Sequence, residues 1–112
     1  MTSDTLSDEI TDRLEAELDE HGLFAWLNFQ FTAIDRGRVV FEIPFDEKFA
    51  NLVSGAAHGG VTATAMDTAS AFALRSTFDD PVSAELTTTD LNVRYVRPAS
   101  SDLRVEATVV RA

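Results

Sequence analysis

The residues of this chain that could do chemistry are concentrated in one stretch, which begins at His58-Gly59-Gly60 and reaches Asp67. A glycine pair at the start of a helix presents backbone N–H groups to a ligand, and the helix dipole adds positive potential there. Glycine also lets a ligand approach the backbone closely. The stretch therefore combines a candidate donor to a negatively charged oxygen, the Gly59 N–H, with a candidate base or nucleophile, the Asp67 carboxylate.

Asp67 follows Gly59 by eight residues, about two turns and about 12 Å along a helix. Its neighbours in the sequence are apolar, and a carboxylate in apolar surroundings is costly unless it is paired or functional. The structural alternative is an aspartate that bonds a neighbouring strand or lies at a subunit interface. His58 has two interpretations as well: a general base or orienting group, or a histidine bonded to the backbone at a helix start.

The Gly59 N–H and the Asp67 carboxylate need a helix to position them. The composition of residues 58–76 predicts a buried helix there. It contains no proline and no glycine after Gly60, and it is apolar on nearly every side. A helix that is hydrophobic all round must be buried on most of its surface. Its small side chains would let a sheet approach closely: Ala63, Ala65, Ala69, Ala71 and Ala73.

Flanking patterns predict the other elements. Apolar residues every four positions, from Leu6 to Leu18, predict an amphipathic helix that is capped by Ser7 and ends at Gly22. Alternating apolar and polar residues predict strands over residues 27–33, 39–45, 84–96 and 103–110. A turn is expected at Asp35-Arg36-Gly37, and residues 46–57 are predicted to form a loop with room for one helical turn.

This order predicts an α+β protein in which a curved antiparallel sheet wraps around a central apolar helix, residues 58–76. Two parts are expected, an N-terminal amphipathic helix over residues 1–22 and the sheet-and-helix domain over residues 23–112. The stretch His58-Gly59-Gly60, separated by six residues from Asp67, resembles the HGG-x6-D signature of the phenylacetate-pathway, PaaI-like branch of hotdog-fold acyl-CoA thioesterases. Residues 88–99, which end in Arg97-Pro98-Ala99, resemble a strand segment of the same branch.

The resemblance implies a hotdog fold and hydrolysis of an acyl- or aryl-acyl-CoA thioester to free acid and coenzyme A. Two alternatives are a non-catalytic acyl-CoA binding protein and a hotdog hydratase or dehydratase. The resemblance also implies that Asp67 of one subunit acts on a carbonyl held by the Gly59 N–H of another. The expected active unit is therefore a homodimer, or a homotetramer built from dimers.

The resemblance extends to further residues. Thr88 matches a Ser/Thr position that can hold the attacking water, although it could also be an ordinary strand residue within a run of threonines. Asn51 matches an asparagine that precedes the glycine pair, although the spacing here is one residue longer. Gly60, Arg97 and Pro98 are expected to contact coenzyme A. The planar guanidinium of Arg97 suits a phosphate, although Arg97 could also be a solvent-exposed arginine in a salt bridge. Coenzyme A belongs to the substrate, so no separate cofactor is expected.

The composition of the chain limits which binding partners and which cellular location are expected. The net charge of -10 disfavours binding to nucleic acid. The absence of cysteine excludes thiolate chemistry, and the two distant histidines disfavour a metal site. No apolar run is long enough for a membrane span and the N-terminus does not resemble a signal peptide, so a cytoplasmic protein is expected.

The charged residues are also unusual in type. One lysine accompanies eight arginines and nineteen acidic residues, a balance that resembles proteins of salt-loving archaea, although a merely soluble acidic surface would look similar. The family resemblance further implies another hairpin after Ala112, so the curved sheet is expected to be C-terminally incomplete.

Overall fold

The computed structural model describes residues 5–93 and 99–111 of the 112-residue chain. Within these described residues, three α-helices and three strands follow one another, with one short 3-10 helix between the second strand and the third α-helix. Their bounds are α1 Asp8–Glu20, α2 Gly22–Leu27, β1 Gln30–Asp35, β2 Arg38–Ile43, the 3-10 helix Glu47–Phe49, α3 Gly59–Arg75 and β3 Leu103–Thr108.

The N-terminal helix forms as predicted, but it is followed by a second helix that the sequence pattern did not indicate. Ser7 caps α1 by accepting a hydrogen bond from the Ile10 N–H. The prediction of a strand from residue 27 was wrong in its start, because residue 27 is the last of α2. Asn28 then ends α2 in the left-handed conformation, with φ 61°, which short polar side chains tolerate better than most. The strand therefore begins only at residue 30.

The sheet is antiparallel with the strand order β1-β2-β3. Asp35 pairs with Arg38, so Arg36 and Gly37 alone make the predicted turn, and Gly37 adopts a φ of 82° that favours glycine. The register shifts between Phe31 and Ala33, where β1 carries an irregularity. β2 ends immediately before Pro44, as the lack of an N–H in proline predicts.

The core lies between α3 and the sheet, and it confirms the predicted central helix. Residues at every fourth position of α3, namely Ala65, Ala69 and Ala73, are buried, and their small side chains bring the helix close to β2 and β3. Phe72 of α3 meets Phe41 of β2 edge to face at 5.7 Å between ring centroids. α1 joins the same core through its two fully buried leucines, Leu14 and Leu18.

The C-terminal end of α3 is fixed by the hairpin turn, which sets the position of the whole helix. The Ser76 hydroxyl donates to the Ala73 carbonyl and accepts from the Gly37 N–H, at 2.6 and 2.8 Å. Arg36 donates to the carbonyls of Ser76 and Phe78, both at 3.1 Å. Cationic donors at a helix C-terminus are favourable because the last carbonyls lack partners within the helix.

The prediction of a strand over residues 84–96 was wrong for the part that the structure describes, residues 84–93, which form no strand. The alternating pattern is present, but a strand also requires a neighbour that exchanges backbone hydrogen bonds with it. Residues 84–91 instead run beside α3, where several of them line cavities together with helix residues. The last predicted strand is found as β3, which ends two residues earlier than expected.

Candidate active site

His58 forms the cap of α3 with both its side chain and its backbone. The Nδ1 atom of the imidazole accepts a hydrogen bond from the Gly60 N–H at 2.8 Å. The His58 carbonyl accepts from the N–H groups of Val61 and Thr62, at 2.9 and 3.3 Å. An Nδ1 atom that accepts carries no proton, so in this geometry a neutral His58 holds its proton on Nε2. The structure thus places His58 as a histidine bonded to the backbone at a helix start.

The position of this helix start is set by backbone bonds on its other side. The His58 N–H donates to the Phe49 carbonyl at 2.8 Å, and Ala50 and Ala57 form an isolated antiparallel bridge. Ala57 also donates to the Ala99 carbonyl at 2.8 Å. The glycine pair therefore follows a segment that is bonded both to the end of the 3-10 helix and to Ala99, four residues before β3 begins.

The imidazole of His58 lies close to the space that a side chain at position 60 would occupy. A Cβ atom at position 60 would be 3.1 Å from His58 Nδ1, tighter than most real contacts. The Gly60 N–H is already donated to His58, so the predicted contact of Gly60 with coenzyme A would have to be made by other atoms. Gly59 is the first residue of the helix.

Asp67 and Thr88 are brought together by the fold. The Thr88 hydroxyl donates to Asp67 Oδ1 at 2.6 Å, within the range of hydrogen bonds to a charged carboxylate. The two residues are twenty-one positions apart, one on α3 and one on the segment that runs beside it. Asp67 is half-buried and Thr88 is exposed, so the carboxylate is fixed but can still be reached from solvent.

Two cavities meet at this pair. One, of about 410 Å³, extends from Asp67 and Thr88 to Phe24 of α2 and to Arg75 at the end of α3. The other, of about 270 Å³, lies on the side of Ser70 and Leu74. A carboxylate that opens on cavities with apolar and polar walls is a common arrangement for a small-molecule site.

Comparison with known proteins identifies the family. Residues 54–112 match the family described as the thioesterase superfamily. A protein of Halobacterium salinarum that is named as a candidate esterase is 39% identical over 107 residues, which is 94% of this chain and 71% of the relative. This chain belongs to the thioesterase superfamily.

Solved structures confirm the predicted hotdog fold of this thioesterase-superfamily chain. The Escherichia coli PaaI protein from the phenylacetic acid degradation operon superposes with a TM-score of 0.79 at 20% identity, over 96% of this chain and 75% of the other. A Ralstonia eutropha protein described as a phenylacetic acid degradation-related thioesterase candidate gives 0.76 at 25% identity, over 92% and 78%. The predicted resemblance to the PaaI-like branch is therefore confirmed, and the family supports a hydrolase function in general terms.

Asn51 is not directed to the Asp67 pair in this thioesterase-superfamily chain. Its Oδ1 atom accepts hydrogen bonds from the N–H groups of Val53 and Ser54, at 2.9 and 2.8 Å, and its Nδ2 atom donates to the Ser54 hydroxyl. The side chain thus stabilises its own turn. Its predicted role at the thioester stays a prediction.

Arg97 and Pro98, the other two residues predicted to contact coenzyme A, lie outside the described residues. Sequence reasoning missed Phe24 and Arg75, which line the larger cavity. One feature of the sequence could have drawn attention to Arg75, since it is the only basic residue of the apolar helix. No such feature pointed to Phe24, because the helix α2 on which it lies was not predicted.

Within residues 5–93 and 99–111, no group of three His, Cys, Asp or Glu side chains is arranged to hold a metal ion. Among the helices of the same residues, none combines the length and the apolar character that crossing a membrane requires.

Proposed function

We propose that this chain hydrolyses the thioester of an acyl-CoA to a free acid and coenzyme A, with Asp67 as the central catalytic group. The observation that supports this most directly is the 2.6 Å hydrogen bond from Thr88 to Asp67 at the junction of two cavities. Family membership supports the reaction type. The phenylacetic acid degradation proteins among the structural neighbours support an acyl- or aryl-acyl-CoA as substrate.

The chemistry requires attack on the thioester carbonyl and stabilisation of the charge that develops on its oxygen. In one form of the reaction, Asp67 accepts a proton from water while the water oxygen bonds the acyl carbon. The carbon–sulfur bond then breaks, and the coenzyme A thiolate leaves and takes up a proton. In the other form Asp67 attacks directly and water releases the acid from the resulting anhydride. In both forms the Thr88 hydroxyl holds Oδ1, which directs the other carboxylate oxygen.

The glycine pair supplies the second half of the site, from another copy of the chain. Gly59 and Asp67 are eight residues apart on one helix, about 12 Å of rise, too far for both to reach the same carbonyl. A twofold dimer solves this, because each site then combines Asp67 of one protomer with the Gly59 N–H of its partner. The active unit is a homodimer or a homotetramer built from such dimers.

The first test removes the charge of Asp67 without changing its shape. We expect Asp67→Asn to lower kcat at least about 100-fold, the usual contribution of a positioned acid–base group or more, while the Kd for acyl-CoA changes little. Turnover is measured with a thiol-detecting dye across a panel of acyl-CoAs, and binding by isothermal titration calorimetry. The matched control is Asp12→Asn on the exposed face of α1, which should behave as the wild type.

The outcomes of this assay separate the functions that are compatible with the fold. Full activity of Asp67→Asn would exclude the proposed mechanism. A wild-type protein that binds acyl-CoA without releasing thiol would instead be a binding protein. Hydration of an enoyl-CoA without thiol release would identify a hydratase.

The second test removes one backbone N–H group. Gly59 is the first residue of α3, where proline is well tolerated, and His58 already has the extended ψ of 137° that a residue before proline prefers. We expect Gly59→Pro to lose about 100- to 1000-fold in kcat, the cost of losing one oxyanion donor, and a thermal melt checks that the variant is folded. Wild-type kcat in a folded Gly59→Pro protein would exclude this role for the Gly59 N–H.

The same two variants test whether sites are shared between copies. In a mixed dimer of Asp67→Asn and Gly59→Pro, one site receives both intact groups and the other receives neither. After unfolding and refolding of an equal mixture, about a quarter of wild-type activity should return, because half of the dimers are mixed and half of their sites are intact. If mixing restores no activity although mixed dimers form, both groups belong to a site within one chain.

A further inference from the structure

One face of α3 carries three side chains of different chemistry at intervals of four residues. Asp67, Ala71 and Arg75 lie above one another along the helix, and all three line the cavity of about 410 Å³. The distance from the first to the last is about 12 Å of helix rise. The small side chain of Ala71 leaves the space between the carboxylate and the guanidinium open.

The walls of this cavity are mixed: polar side chains that include Glu85 alternate with apolar ones, and its apolar part is formed by two aromatic rings and a leucine. Phe24 of α2 and Phe72 of α3 line it, and Leu86 lies on the segment that carries Thr88. An acyl group whose carbonyl lies at Asp67 would therefore extend along α3, over Ala71 and towards Arg75. Burial of its hydrocarbon against these walls would be favourable.

Arg75 is held rigidly at the far end. Its Nε donates to the Pro81 carbonyl at 3.0 Å, and its Nη2 donates to the Val82 carbonyl at 3.1 Å. The Nη2 atom is also 2.9 Å from Glu17 Oε2, and the guanidinium lies 5.0 Å from the centroid of the Phe72 ring. The side chain is only 13% exposed, so it cannot turn aside into solvent without breaking these contacts.

We propose that Arg75 is a specificity-determining residue that closes the acyl pocket, so that the protein accepts short-chain and single-ring acyl groups and rejects long chains. The inference rests on the proposed function, since it places the thioester at Asp67. A longer hydrocarbon chain would have to displace a guanidinium that bonds two carbonyls and a carboxylate. Its end would also lie against charged groups that it cannot solvate.

The test compares hexanoyl-CoA with palmitoyl-CoA, by kcat/KM and by calorimetric Kd. The wild type should prefer hexanoyl-CoA at least about tenfold, and Arg75→Ala should reduce that preference about tenfold, mainly through KM for palmitoyl-CoA. Arg38→Ala is the matched control, because Arg38 forms an exposed ion pair with Glu106 on the sheet. It should keep the wild-type preference.

A second variant changes the pocket without removing the contacts of Arg75. Ala71→Leu keeps a good helix former but fills the middle of the cavity. It should lower kcat/KM for hexanoyl-CoA about tenfold more than kcat/KM for acetyl-CoA. If thermal melting shows that Arg75→Ala is not folded, the result with Ala71→Leu decides whether the acyl group lies along α3.

Three results would overturn the inference: a folded Arg75→Ala with unchanged preference, an Ala71→Leu variant with normal use of hexanoyl-CoA, or a wild type that binds neither acyl-CoA. A wild type that binds acyl-CoA without hydrolysing it would contradict the proposed function alone. In that case the ratio of the Kd for hexanoyl-CoA to the Kd for palmitoyl-CoA, compared between the wild type and the variants, would decide whether Arg75 determines specificity.

Discussion

His58 illustrates how a residue with catalytic chemistry can serve a site by holding its backbone. Its Nδ1 atom and its carbonyl together engage the N–H groups of the next residues, Gly60, Val61 and Thr62. An imidazole that accepts from a backbone N–H satisfies a group that the first helical turn would otherwise leave without a partner. We propose that the role of His58 is positional, and that it requires an acceptor atom rather than a proton that can be transferred.

This distinction predicts different results for two substitutions at position 58. Asparagine can accept a hydrogen bond as a helix cap but cannot act as a general base near neutral pH, so His58→Asn should keep most of the stability and turnover. His58→Ala should lose about 1 kcal/mol of unfolding free energy and part of kcat. Thermal melts and the thiol assay measure both effects. Equal loss of kcat in the two variants would indicate proton transfer by His58.

The central helix is the element that sequence predicts best, for a physical reason. Its burial depends on composition along one continuous stretch, and the bounds expected from that stretch, residues 58–76, differ by one residue at each end from the observed Gly59–Arg75. The candidate site residues on this helix could be predicted from the same stretch of sequence. The partner of Asp67 does not, because the bond from Thr88 depends on how two elements lie in space.

The elements that were predicted wrongly depend on neighbours rather than on their own pattern. Residues 84–93 alternate like a strand, but in the described part of the chain they run beside α3 without a strand partner. The short helix α2 has six residues, too few for a helical period to stand out, and it ends at an asparagine whose left-handed conformation only the structure reveals. Arg75 and Phe24 were missed for the same reason, since the cavity that they share joins separate elements.

At the scale of the whole molecule, charge is the dominant feature. Nineteen acidic residues face nine basic ones, and in α1 the last turn contains acidic residues but no basic one. Carboxylates at a helix C-terminus oppose the helix dipole, and like charges across the surface repel one another. We propose that this chain is adapted to high salt, which screens such repulsion. A relative in Halobacterium salinarum supports this proposal.

Salt should therefore stabilise the fold. Raising KCl from about 0.1 M to about 1 M shortens the Debye length from about 10 Å to about 3 Å, so we expect the Tm to rise. Glu20→Lys, at the exposed end of α1, should stabilise the protein by about 0.3–1 kcal/mol at low salt and by less at high salt. A wild type with equal stability at both salt concentrations would contradict the proposed adaptation.

The contact between Gly60 and His58 also limits the order in which this site can evolve. A side chain at position 60 would first have to push the imidazole away from the amide that it caps, since its Cβ would lie 3.1 Å from Nδ1. The effect of a mutation at residue 60 therefore depends on whether the imidazole can shift by a few tenths of an ångström and keep its bond to the amide. A shorter capping residue at position 58 would remove the close contact, so alanine at position 60 should be tolerated better after that change than before it.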